Sequence, residues 1–111
     1  MTREIYITTH CIERAKLRHP EFLRARGVGG MYAEVREALR DGRRAKTQPR
    51  WATRDGRRRK IDRAHGEGIF VWNREETRCY ALRRGMTAGG RGWHVRTMLS
   101  NESERNHREE S

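Results

Sequence analysis

The spacing of apolar and polar residues changes period along the chain, and each change marks an element. Ile5-Tyr6-Ile7 alternates and predicts a short strand. The alternation stops at Thr8-Thr9, two residues whose side chains accept the free N–H groups of a first helical turn. A helix is predicted from about Thr9 to His19, with Cys11, Ile12 and Ala15 on its core side. Pro20 limits it, because the residue before a proline avoids helical geometry. Glu21 to Arg26 adds a further turn that packs Phe22 and Leu23 inward. Gly27-Val28-Gly29-Gly30 reads as a break, and a second helix follows from Met31 to Asp41. Its stripe of Met31, Val35, Ala38 and Leu39 has helical spacing, and Gly42 stops it.

From there the period is two. Arg43 to Arg54 is polar and basic, and Asp55-Gly56 is a hairpin signal with Arg57 to Asp62 returning from it. A second turn is read at His65-Gly66-Glu67-Gly68. Ile69-Phe70-Val71-Trp72 is apolar on both faces, which suits a central strand. Asn73 to Thr77 turns the chain, and Arg78 to Arg83 forms the next strand. Gly85 to Gly92 reads as a long, mobile, glycine-rich loop. Trp93 to Leu99 is the last strand, with Trp93, Val95, Thr97 and Leu99 on one face and His94, Arg96 and Met98 on the other. The fold expected is α+β: a short N-terminal strand, two helices, then a four-stranded antiparallel meander. The helices would cover one sheet face and leave the other open to the strand arginines. Residues 1–99 form a single domain, and 100–111, which hold no apolar residue, a flexible charged tail.

Charge narrows the partner. The 111 residues carry 26 Lys and Arg against 15 Asp and Glu, a net +11. Only Lys16, Lys46 and Lys60 are lysines, and the arginine guanidinium is a planar fork of donors that matches phosphate. A small domain with this balance is expected to bind nucleic acid or another polyanion. The two cysteines, Cys11 and Cys79, lie far apart in apolar contexts without a CxxC pair. No zinc site, other metal or cofactor is therefore expected, and the thiols fit a reducing cytoplasm. No leader pattern and no run of about 18 apolar residues is present, so no membrane partner is expected.

The first helix carries the candidate chemistry. His10, Arg14 and Arg18 share one face, with Glu13 and Leu17 beside them. His10 sits near the positive end of the helix dipole, which favours the neutral imidazole that a general base needs. The run His10-Cys11-Ile12-Glu13-Arg14, with Arg18 four further on, resembles the H-x-x-E-R-x-x-x-R helix of a bacterial and phage domain grouped with RelE-like toxins. Tyr32 to Arg43 resembles the E-V-x-x-A-L-x-x-G segment that follows it there. The resemblance covers roughly residues 5–99. It implies two helices on a four-stranded antiparallel sheet, in the barnase, EndoU, colicin and RelE fold, and metal-independent RNA cleavage, often as a toxin. The segment from Arg43 to Gly68 is longer and more basic than that family's pattern.

Such cleavage needs a base, an acid and a cation at the phosphate. His10 and His94 are the expected pair, Arg14 or Arg96 the phosphate cation, with Tyr80 or Thr97 assisting and Trp51 or Trp93 stacking on a base. His65 is expected to be exposed and idle. Arg43, Arg44, Lys46, Arg50, Trp51, Arg54, Arg57, Arg58, Arg59 and Lys60 would bind the nucleic-acid backbone. The first function expected is a toxin-type ribonuclease acting on RNA or ribosome-bound RNA. The alternative is a non-catalytic basic module of phage or mobile-element origin that grips nucleic acid or a nucleic-acid enzyme. An acidic antitoxin or host protein is a third partner class.

Overall fold

The computed structural model describes residues 4–46 and 68–100. Strand β1 (Ile5–Ile7) leads into helix α1 (Thr9–Arg18) and then helix α2 (Pro20–Arg40). Strands β2 (Arg44–Ala45), β3 (Gly68–Trp72), β4 (Arg78–Thr87) and β5 (Gly90–Ser100) complete the chain. The sheet order is β1-β5-β4-β3-β2. β1 lies parallel to β5, and the other pairs are antiparallel. The class is the α+β expected, but the sheet is a mixed one of five strands. The parallel edge arises because α1 carries the chain away from β1 before the hairpins begin. The Asp55-Gly56 turn, the returning strand at Arg57 to Asp62 and the tail 101–111 lie outside the described residues.

Thr8 joins β1 to α1 and ties both to β5. Its hydroxyl accepts from the Cys11 N–H at 3.2 Å and donates to the Val95 carbonyl at 3.2 Å. Cys11 and Ala15 then face the core with Ile5, Ile7, Val95 and Trp93. Pro20 opens α2, where a missing N–H costs nothing. The break expected over four residues is one residue wide: Gly27 alone is non-helical, at φ 67° and ψ −175°. That left-handed conformation excludes a side chain at little cost only for glycine. Val28, Gly29 and Gly30 resume the helix, because Val28 and Met31 gain core contacts that offset the glycine penalty of about 1 kcal/mol each.

One core lies between helices and sheet, built on Ile7, Met31, Val35, Val71, Tyr80, Leu82 and Val95. Phe70 and Cys79 form a second cluster on the other sheet face, with Ala81 and Leu99 against them. Burial pushes the Cys11 thiol up to about 11 and the Cys79 thiol up to about 12, so both stay protonated and unreactive.

The glycine-rich stretch from Gly85 to Gly92 is a tight hairpin, not a loop. β4 continues through Thr87, and β5 starts at Gly90, whose φ is 111°. Glycines need not break a ladder when neighbouring groups fill their space, and here Gly85 pairs with Gly92. The Glu4 carboxylate accepts from the Gly89 N–H and from the Thr87 hydroxyl, fastening the hairpin tip to the start of β1.

His19, between the helices, is 8% exposed and bonded through Nε2 to the Met98 carbonyl at 3.2 Å. Burial lowers its pKa; the bond to Met98 opposes this, and the charges of Arg18 and Arg78 reinforce it. The unfolded ring protonates near the ordinary value of about 6.5, whereas the folded ring stays neutral to lower pH. Its contribution to stability is therefore complete above that value and falls as pH drops below it. The urea midpoint is expected to decline between about pH 7 and about pH 5 in the parent and to decline less in His19→Gln. Parallel declines would assign the loss to another group.

Candidate active site on the open sheet face

The face of the sheet away from the helices carries a row of polar side chains at its β1–β5–β4 end. The register pairs Tyr6 with His94, and His94 with Arg83. These residues alternate with Ile5, Ile7, Val95 and Leu82, which point into the core, so all three face outward. The rings of Tyr6 and His94 meet edge to face, with centroids 5.4 Å apart and planes at 64°. His94 Nε2 lies 2.8 Å from the Met86 carbonyl oxygen. A carbonyl only accepts, so Nε2 donates, and in the neutral ring Nδ1 holds the free lone pair.

A bulge adds to this row. Ala81 pairs with Thr97 but Leu82 pairs with Val95, so Arg96 is an extra residue in β5. The bulge corrects the expected alternation: Met98 turns into the helix-side core, while Thr97 and Leu99 lie on the outer face. Arg96 is exposed beside Thr97. Neither Arg83 nor Arg96 forms a hydrogen bond or ion pair with an acid among the described residues. Arg83 is thus the cross-strand partner of His94 and Arg96 lies two residues along β5, neither with an acid partner among the described residues, and the His94 ring keeps one open nitrogen.

On the helix side the cations are neutralised. Glu34, 6% exposed, accepts two bonds from Arg78 at 2.8 and 2.7 Å, one from Tyr80 at 2.6 Å and one from Arg26 at 3.2 Å. The guanidiniums of Arg26 and Arg78 both lie over the Phe22 ring, 5.2 and 4.7 Å from its centroid. Burial would raise the Glu34 pKa, but the hydrogen bonds from Arg78 and Tyr80 and the nearby arginine charges hold it below the usual carboxylate range. Tyr80 is therefore a core residue and not an assistant at an open site. An open cavity of about 80 Å³ adjoins this network and is lined by Arg26, Glu34, Glu37, Arg43 and Glu75 among others. That is well below the volume of about 300 Å³ at which small-molecule pockets begin.

The remaining expected site residues fall in different places. Helix α1, which carries His10 and Arg14, packs on the core face of the sheet, whereas the His94 side chain projects from the other face. His10, Glu13 and Arg14 are exposed, and their side chains make no hydrogen bond among the described residues. Arg43 is committed internally: it donates to the Trp72 carbonyl, to Asp41 and to Glu37 at 3.1, 2.9 and 3.3 Å. Arg44 and Lys46 are exposed. Trp93 is only 5% exposed, with Arg84 over its ring, and is not available to stack on a base. Arg50, Trp51, Arg54, Arg57, Arg58, Arg59, Lys60 and His65 lie outside the described residues. Tyr6 and Arg83 were not singled out from the sequence. The signal for Tyr6 was its place between two buried isoleucines, which turns it to the open face.

Among the described residues no group of His, Cys, Asp and Glu could hold a metal ion, and no helix is long and apolar enough to cross a membrane. No family model, curated protein or solved structure matches the chain.

Proposed function

We propose that the protein is a metal-independent ribonuclease of RelE-like toxin type that cleaves RNA on the open sheet face. The observation that carries this reading is His94, held through Nε2 with Nδ1 open, with Arg83 across the ladder and Arg96 two residues along, neither paired with an acid among the described residues, in a chain of net charge +11. His94 Nδ1 takes the proton of a ribose 2′-hydroxyl. The 2′-oxygen then bonds to phosphorus and the bond to the 5′-oxygen breaks. The Tyr6 hydroxyl gives its proton to that leaving oxygen and is reprotonated from His94 through water. Arg83 and Arg96 stabilise the charge gathering on the phosphate oxygens. The products are a 2′,3′-cyclic phosphate and a 5′-hydroxyl.

Labelled RNA incubated in EDTA, with and without ribosomes, tests this against a His10→Ala/His94→Ala double variant. Cleavage by the parent alone is the expected result. Binding should weaken steeply with salt, and Arg83→Ala or Arg96→Ala should each reduce the log–log salt slope by about 0.7. A slope unchanged in both variants would remove the open face from the contact.

The alternative is a basic module that grips nucleic acid without cutting it. The observation favouring it is that α1 places His10 on the other side of the sheet, leaving His94 without a second imidazole from that helix. Intact RNA with a salt-sensitive gel shift would select this reading.

A further inference from the structure

We infer that Gly85 and the Met86 carbonyl form a seat that fixes the tautomer of His94, with Nδ1 as its reactive nitrogen and Gly85 as a positioning residue. The cleavage role rests on the function proposed above; the seat itself does not. Gly85 lies inside β4, where a glycine weakens a strand unless another group must come close. Its φ is not in the left-handed region, so the backbone does not demand it. Space does. A Cβ built at Gly85 would lie 2.7 Å from His94 Cε1 and Nε2 and 2.8 Å from Cδ2. Real Cβ atoms essentially never approach below 3.0 Å.

The three atoms that crowd this position share the Nε2 edge of the ring. That edge is pressed onto the β4 backbone, and the next carbonyl along, Met86, receives its N–H at 2.8 Å. The Nδ1 atom is not among them and belongs to the edge turned away from the seat. The Tyr6 ring stands against the imidazole from β1. The imidazole is thus held by backbone on one edge and by an aromatic ring beside it. A general base held in one tautomer and one orientation does not spend binding energy on finding either. Adding one methyl at Gly85 must lift the ring, stretch the bond to Met86 and release the tautomer.

The test is long-range proton–nitrogen NMR on 15N-labelled protein at a pH where the ring is neutral, for the parent and for Gly85→Ala. Far-UV circular dichroism and thermal melting check that the variant folds. The parent is expected to show a pyridine-type Nδ1 and a pyrrole-type Nε2, and Gly85→Ala a mixture of tautomers. If the protein cleaves RNA, kcat in Gly85→Ala should fall by roughly tenfold to a hundredfold, with KM within about twofold. A pyrrole-type Nδ1 in the parent overturns the inference, and needs no variant to be seen. So does a folded Gly85→Ala that keeps both the parent spectrum and the parent kcat. The expected spectra from a protein that cuts no RNA would support the seat while removing the cleavage reading.

Discussion

His94→Ala is expected to lower RNA cleavage by roughly a hundredfold or more while leaving the thermal midpoint close to that of the parent. The size is that of a lost general base. The small effect on stability follows from the residue's place: His94 sits on the outer sheet face, half-buried, and its side-chain hydrogen bond goes to a carbonyl at the exposed end of β4. His94→Gln is the informative companion. It retains a donor for the Met86 carbonyl but has no group that can take a proton near neutrality, so it should be as inactive as alanine. His10→Ala separates two arrangements. If α1 contributes no group to the outer face, this variant keeps activity within a few-fold of the parent. An equal loss in His10→Ala and His94→Ala would require RNA to reach round the β1 edge to both. Full activity in His94→Ala would end its role in the mechanism.

Glu34→Ala is expected to destabilise the fold by about 3–5 kcal/mol, the scale for breaking a buried ion pair by removing one partner. Small domains hold only about 5–15 kcal/mol in total, so the variant should be largely unfolded or melt far below the parent. The cost is high because of what remains behind. Arg78 is 15% exposed and has two of its donors on Glu34, and Tyr80 is fully buried with its hydroxyl on the same carboxylate. Without Glu34, the Arg78 guanidinium loses the acceptor of two of its donors and the Tyr80 hydroxyl loses its acceptor inside the core. Arg26, with 44% of its side chain exposed, contributes little, since a solvated pair is worth about 1 kcal/mol or less. Glu34→Gln keeps the volume and one acceptor, and should fall between the parent and alanine. Denaturant midpoints measure all three. A Glu34→Ala protein with the parent's midpoint would show that the network adds nothing net. Because the Glu34 carboxyl is held below its usual range, its share of stability is present above that range and is lost as pH falls through it. This loss comes at lower pH than that of His19.

Both predictions concern residues whose roles depend on the side of the sheet on which they lie. Much of that was legible. The alternation of Ile5, Tyr6 and Ile7, the helical stripe of Met31, Val35 and Ala38, and the all-apolar run at β3 reflect backbone periods of two and 3.6 that any sequence must respect to bury one side. Net charge likewise needs no coordinates. Three features escaped a local reading. The hairpin at Gly85 to Gly92 looked like a loop because glycine has no preference of its own; the His94 ring and Glu4 occupy the space, and both come from elsewhere in the chain. The bulge at Arg96 shifted the faces of Thr97, Met98 and Leu99, since register belongs to a pair of strands and not to one. Tyr80, expected to assist at the site, instead forms one buried cluster with Glu34 and Arg78, which no local pattern marks.

The sequence by itself therefore determined the class of the fold, the order of its elements and the excess of arginine. The tertiary structure alone decided which arginines are spent on Glu34, Glu37 and Asp41, and which stand near His94 with no acid partner among the described residues. The reason is physical. Burial and hydrophobic period act on each residue through its neighbours in the chain, but charge compensation acts through space. Arg78 meets Glu34 across 44 residues of sequence, whereas Arg83, five residues further along β4, faces the other way.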